Sequence, residues 1–69
     1  MKIKIDAQVI GNRLKKLRGD KKAEEVSKSI GISKSALSMY ENGFRIPRDE
    51  IKVRLAQYYK QTIQSIFFD

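Results

Sequence analysis

A chain of 69 residues with no cysteine and no histidine can be held together neither by disulfides nor by an ordinary zinc site. A domain this short buries only roughly 60% of the surface its unfolded chain exposes, so its stability must come from compact packing around one small core. Residues 1–69 therefore read as a single domain. One proline and four glycines punctuate short apolar patterns of helical period. The only strand-period stretch is Met1 to Ile5, which reads as a short edge strand or a flexible arm. The predicted fold class is all-α.

Five helices can be placed. Ile10, Leu14 and Leu17 share a face of the first, with Asp6 as N-cap and Gly19-Asp20 ending it. Ala23, Val26, Ser27 and Ile30 line a second helix that Gly31 terminates, and Ser33 caps a third that runs to Asn42-Gly43. Pro47 opens a fourth, with Ile51, Leu55, Tyr58 and Tyr59 inward and Asp49 and Glu50 at its positive end. A short fifth helix starts at Thr62 and turns Ile63, Ile66 and Phe67 inward.

Fifteen Lys and Arg against eight Asp and Glu leave a net charge of +7, which favours an anionic partner, nucleic acid first. The longest uninterrupted apolar stretch, Ile66 to Phe68, is far short of the roughly 20 residues a membrane span needs. The opening alternates Lys and Ile and lacks the apolar block of a leader, so the expected location is cytoplasmic. With no His, no Cys, no Gly-rich phosphate loop and no facing carboxylates, the inventory argues against an enzyme. No metal, cofactor or small-molecule ligand is implied.

The second and third helices, joined by Gly31, Ile32 and Ser33, form a helix-turn-helix over residues 23–42. Val26, Ile30, Ile32, Leu37 and Tyr40 are spaced to pack the two helices at a steep angle, and the small Ser27 leaves room for close approach. The run from Ile30 to Gly43, IGISKSALSMYENG, resembles the Cro/repressor type of DNA-binding domain, the lambda-repressor-like or XRE family. Residues 10–18 resemble that family's first helix. Arg45-Ile46-Pro47 with Ile51, Leu55 and Ile66-Phe67 resembles its fourth and fifth.

The resemblance implies a five-helix domain that sets its third helix in the DNA major groove, usually as a homodimer on a palindromic operator. With Lys34 at 0°, Ser38 falls at about 40°, Asn42 at about 80°, Ser35 at about 100° and Met39 at about 140°, while Ala36, Tyr40 and Leu37 occupy about 200° to 300°. Lys34, Ser35, Ser38 and Met39 match the family's base-reading positions. Lys34 can donate to guanine O6 or N7, the serines can pair with several bases, and Met39 offers apolar contact.

Charge is concentrated outside the helix-turn-helix. Residues 1–22 carry eight basic and two acidic side chains, residues 23–42 two and three, and residues 43–69 five and three. Phosphate contacts are therefore expected from Lys21, Lys22 and the backbone N–H of Ala23 at the second helix, and from Asn42, Arg45 and Arg48 after the third. Lys15, Lys16, Lys52 and Lys60 read as solvated. The resemblance further implies a partly buried salt bridge between Arg18 and Glu41, with Arg13 as the alternative partner.

The chain departs from the family's pattern in three places. Lys22 and Ala23 stand where a Ser or Thr cap and a Gln are common. The connection after Arg18 is about two residues shorter. Lys60 replaces a frequent Gly before the fifth helix, where a left-handed lysine would cost about 1 kcal/mol, so a different turn is expected. Val53 and Phe68 have no evident internal place and are candidates for a dimer interface. The expected function is a sequence-specific regulator of double-stranded DNA, most simply a homodimeric repressor. The alternative is a protein-interaction module on the same fold, an antitoxin or a regulator antagonist, with DNA binding secondary.

Overall fold

The computed structural model describes residues 6–68, so the segment 1–5, expected as strand or arm, lies outside the described residues. Five helices follow one another: α1 (Ala7–Arg18), α2 (Ala23–Ile30), α3 (Lys34–Glu41), α4 (Asp49–Tyr59) and α5 (Ile63–Phe67). Three begin at side-chain caps. Asp6, Ser33 and Thr62 accept from the backbone N–H groups of Val9, Ala36 and Ser65, each at 3.0 Å. Gly31 ends α2 in the left-handed region (φ 90°), and its N–H bonds back to the Ser27 carbonyl, as the sharp turn into α3 requires.

All five helices contribute to one core. Leu14, Val26, Leu37, Leu55 and Ile66, one from each, are fully buried, and Ile10, Ile30, Tyr40, Ile51, Ala56 and Phe67 complete it. The inner face of α4 includes the expected residues and one more, Ala56, while the two tyrosines pack against the core only in part. Ala56 is buried beside Ile51 and Leu55, whereas Tyr58 and Tyr59 lie at the rim, half-buried and packed edge to face with centroids 5.1 Å apart.

The turn before α5 also differs from expectation. Lys60 adopts φ 56°, ψ 46°, the left-handed geometry glycine would take, and its N–H bonds to the Ala56 and Gln57 carbonyls. The closing hydrogen bonds and the Thr62 cap immediately beyond outweigh the local strain of about 1 kcal/mol.

Tyr59 carries a buried hydroxyl with no hydrogen-bond partner among the described residues. Burial, reinforced by the charge of Glu41, pushes its pKa from 10.0 up to about 12. Between those values the unfolded chain binds fewer protons than the folded one, so this group's contribution to stability is full below pH 10 and is lost as the pH rises towards 12. Tyr59→Phe removes an unsatisfied polar group and is expected to raise stability by about 1 kcal/mol at pH 8. Its advantage should widen at pH 11. Thermal melts of the two proteins at both pH values check this, and a destabilised variant at pH 8 would mean the hydroxyl has a partner.

Candidate nucleic-acid interface

The interface is built on α3, whose Leu37 and Tyr40 are buried while Lys34, Ser35, Ser38 and Met39 are all exposed. The four base-reading candidates therefore share one open face, with Met39 42% exposed. Gly31 and Ser33 set the direction of that helix. Arg54 adds a support the sequence reading missed: its Nη1 donates to the Ile30 carbonyl at 3.3 Å, beside Gly31, and its Nη2 pairs with Glu50 at 2.7 Å. A long cation spaced 24 residues away leaves no signal of this role in the sequence.

The opposite end of α3 is gripped by one row of α1. Gly11 lies against the backbone of Tyr40 and Glu41, so closely that a Cβ there would stand 2.7 Å and 2.6 Å from their carbonyl oxygens. Arg18 meets Glu41 through two bonds, Nε to Oε2 at 2.7 Å and Nη2 to Oε1 at 3.1 Å. Glu41 is only 4% exposed, so its carboxylate needs this partner to offset the cost of burial. The hydrogen bonding of the Arg18 guanidinium to the Glu41 carboxylate raises its already high pKa. The short connection is accommodated because Arg18 ends α1 and its Nη1 donates to the Lys21 carbonyl at 2.7 Å, tying the loop down. Arg13, weighed as an alternative partner, donates to the carbonyls of Ser65, Ile66 and Phe68 at the end of α5.

The phosphate candidates flank this face. Lys22 is the N-cap residue of α2 and makes no side-chain cap, so the first backbone N–H groups, that of Ala23 included, have no capping side chain. Glu24 and Glu25 occupy the same first turn and oppose an anion there. Lys21 lies 5.1 Å from the centre of the Tyr58 ring. Asn42 caps α3, and Arg45 and Arg48 are exposed in the loop that follows.

Two lysines read as solvated are otherwise engaged. Lys52 is half-buried, with its ammonium 5.7 Å and 5.3 Å from the ring centres of Phe67 and Phe68 and 3.7 Å from Asp49. Lys15 donates to Asn42 Oδ1 at 3.4 Å. Val53 and Phe68 are exposed, as are two apolar side chains passed over in the sequence, Phe44 at 78% and Ile46 at 49%. Their position between Gly43 and Pro47, in a loop rather than on a helical face, hid them from a reading based on periodicity.

Among the described residues no group of acidic side chains is arranged to hold a metal ion, and no helix is long and apolar enough to cross a membrane. Five helices, an α2–α3 pair packed together across the Gly31 turn and an open outer face on α3 define a helix-turn-helix domain of the lambda-repressor class. The helix-turn-helix family model matches residues 13–66, and the chain belongs to that family, in its Cro/repressor (XRE) branch, whose members are DNA-binding regulators rather than enzymes.

Among solved structures the chain is similar to the SOS-response transcriptional repressor LexA from Eubacterium rectale, with a TM-score of 0.86 and 24% identity over 97% of this chain and 74% of that one. It is similar to the P22 c2 repressor in complex with a synthetic operator, with a TM-score of 0.83 and 21% identity over 87% and 94%. The N-terminal DNA-binding domain of SinR from Bacillus subtilis gives a TM-score of 0.80 and 22% identity over 90% and 94%. At these identities the likeness is one of fold. No curated protein matches the chain by sequence.

Proposed function

We propose that the protein is a sequence-specific regulator of transcription, a cytoplasmic repressor that binds a palindromic operator in double-stranded DNA as a homodimer. The observation that carries this reading is the division of α3 into a buried side and an exposed side, with Lys34, Ser35, Ser38 and Met39 together on the exposed one. A helix so held on a basic domain has the shape and charge to enter the major groove. The P22 c2 repressor, similar in fold, has been solved in complex with a synthetic operator.

In this reading α3 reads base edges. Lys21, Lys22, the Ala23 N–H, Asn42, Arg45 and Arg48 hold phosphates on either side. Val53 and Phe68, together with the exposed Phe44 and Ile46, are apolar surface available to a second copy. Four cationic phosphate contacts per subunit give a dimer a slope of about −7 in log K against log salt.

Selection of sites from random duplexes at about 150 mM salt tests the proposal. The expected result is an inverted repeat with half-site centres about one helical turn apart. Lys34→Ala should relax preference at one position by about 1–3 kcal/mol. Retention of DNA with no enriched sequence would overturn it, and dependence of function on Val53 and Phe68 but not on Lys34 would favour a protein-interaction role.

A further inference from the structure

Lys15 belongs to α1, outside the helix-turn-helix, yet its ammonium stands 3.4 Å from Asn42 Oδ1, and Asn42 Nδ2 stands 3.1 Å from Ser38 Oγ. An ammonium can only donate, so it must face the amide oxygen, and that requirement turns the amide nitrogen towards Ser38. Ser38 Oγ is then the acceptor from Asn42. Its own hydrogen is left to point outward from the exposed face of α3. The bonds run one way, from Lys15 to Asn42 to Ser38 and on to whatever lies against the helix. Glu41, the carboxylate adjoining Asn42, is held by Arg18 and does not draw the ammonium away. Gly11, one turn before Lys15, keeps α1 pressed to the end of α3 so that the reach is short.

We propose that Lys15 is a positioning residue that sets base specificity: by fixing the amide of Asn42 it makes Ser38 a hydrogen-bond donor towards the DNA. The base facing Ser38 must then present an acceptor, purine N7, guanine O6 or thymine O4. Cytosine, whose polar group in the major groove is an amino donor, is disfavoured. This inference rests on the reading of α3 as a major-groove helix.

The reverse polarity follows from chemistry. A carboxylate at position 15 can only accept, so Lys15→Glu would turn the amide over, place Asn42 Oδ1 against Ser38 and consume the hydroxyl hydrogen. Ser38 would then offer lone pairs, and cytosine would become acceptable. Lys15→Met, with neither donor nor acceptor, would leave the amide free in both orientations.

The test is site selection from random duplexes with the full chain and with Ser38→Ala, Lys15→Met and Lys15→Glu. Ser38→Ala locates the base that Ser38 faces. The wild type is expected to disfavour cytosine there about 3- to 10-fold, the range of one hydrogen bond. Lys15→Met should erase that discrimination and Lys15→Glu should admit cytosine. Loss of a charge lowers affinity for all sequences alike and leaves base preference untouched, so the readout separates positioning from simple attraction.

In the free protein the Asn42 side-chain amide resonances should shift in both Lys15→Met and Ser38→Ala. Unchanged preference at that position in both Lys15 variants, or unshifted amide resonances, would overturn the inference while leaving the regulator reading in place. Failure of the wild type to enrich any sequence would overturn that reading and this inference with it.

Discussion

Arg18→Met is expected to remove about 3 kcal/mol or more of folding stability, measured as a fall in the urea midpoint. The substitution leaves the Glu41 carboxylate, 4% exposed, without the two hydrogen bonds that compensate its burial. For a domain whose whole stability is of the order of 3–10 kcal/mol, that loss takes it to the edge of unfolding. It also frees the Lys21 carbonyl and with it the loop that presents Lys21 and Lys22. Arg18→Met combined with Glu41→Leu should recover most of the loss, because the cost lies in the orphaned charge rather than in the absence of a favourable pair. A single-variant loss below about 1 kcal/mol would class the pair with ordinary surface bridges.

Gly11→Ala is the second large effect expected. Alanine ordinarily gains about 1 kcal/mol over glycine in a helix interior, so propensity predicts a stabilised protein. The contacts predict the opposite. A Cβ at Gly11 would stand 2.6 Å from the Glu41 oxygen, 2.7 Å from the Tyr40 oxygen and 2.9 Å from the Glu41 carbonyl carbon, all backbone atoms that cannot rotate away. The helices must separate, disturbing the Arg18–Glu41 pair and the Lys15–Asn42 contact together. A net loss of about 3 kcal/mol is expected, seen as a melting temperature lower by roughly 12–24 °C in a domain of this size. A variant that melts at or above the wild type would mean that the spacing between α1 and α3 is not fixed at this point.

Both expectations follow from α1 acting as a brace for α3. It presents Gly11, Lys15 and Arg18 along one row, and each meets a different part of the last turn of α3. The exposed face of α3 is accordingly held from both ends, by this row at its C-terminus and by Arg54 at the Gly31 turn. In the proposed reading, that rigidity is what would let short side chains such as Ser35 and Ser38 contribute to recognition, since they have little reach of their own.

Much of this was legible in the sequence because the relevant physics is local. Asp6, Ser33 and Thr62 start helices through hydrogen bonds three residues away, and Gly19 and Gly31 stop them through conformations that other residues avoid. Helical period alone separated Leu37 and Tyr40 from Lys34 and Ser38 around the axis of α3. Period gives an angle about a helix's own axis, however, and not the distance to its neighbour. The closeness allowed by Gly11, the burial of Ala56, the partial burial of Tyr58 and Tyr59, and the strained Lys60 were decided by packing among helices. The same holds for the long cations. Lys15, Lys52 and Arg54 look alike along the chain, and only the tertiary structure assigns one to an amide 27 residues away, one to the rings of α5 and its C-cap, and one to the turn before α3. A flexible charged side chain takes its partner from whatever the fold brings within its reach.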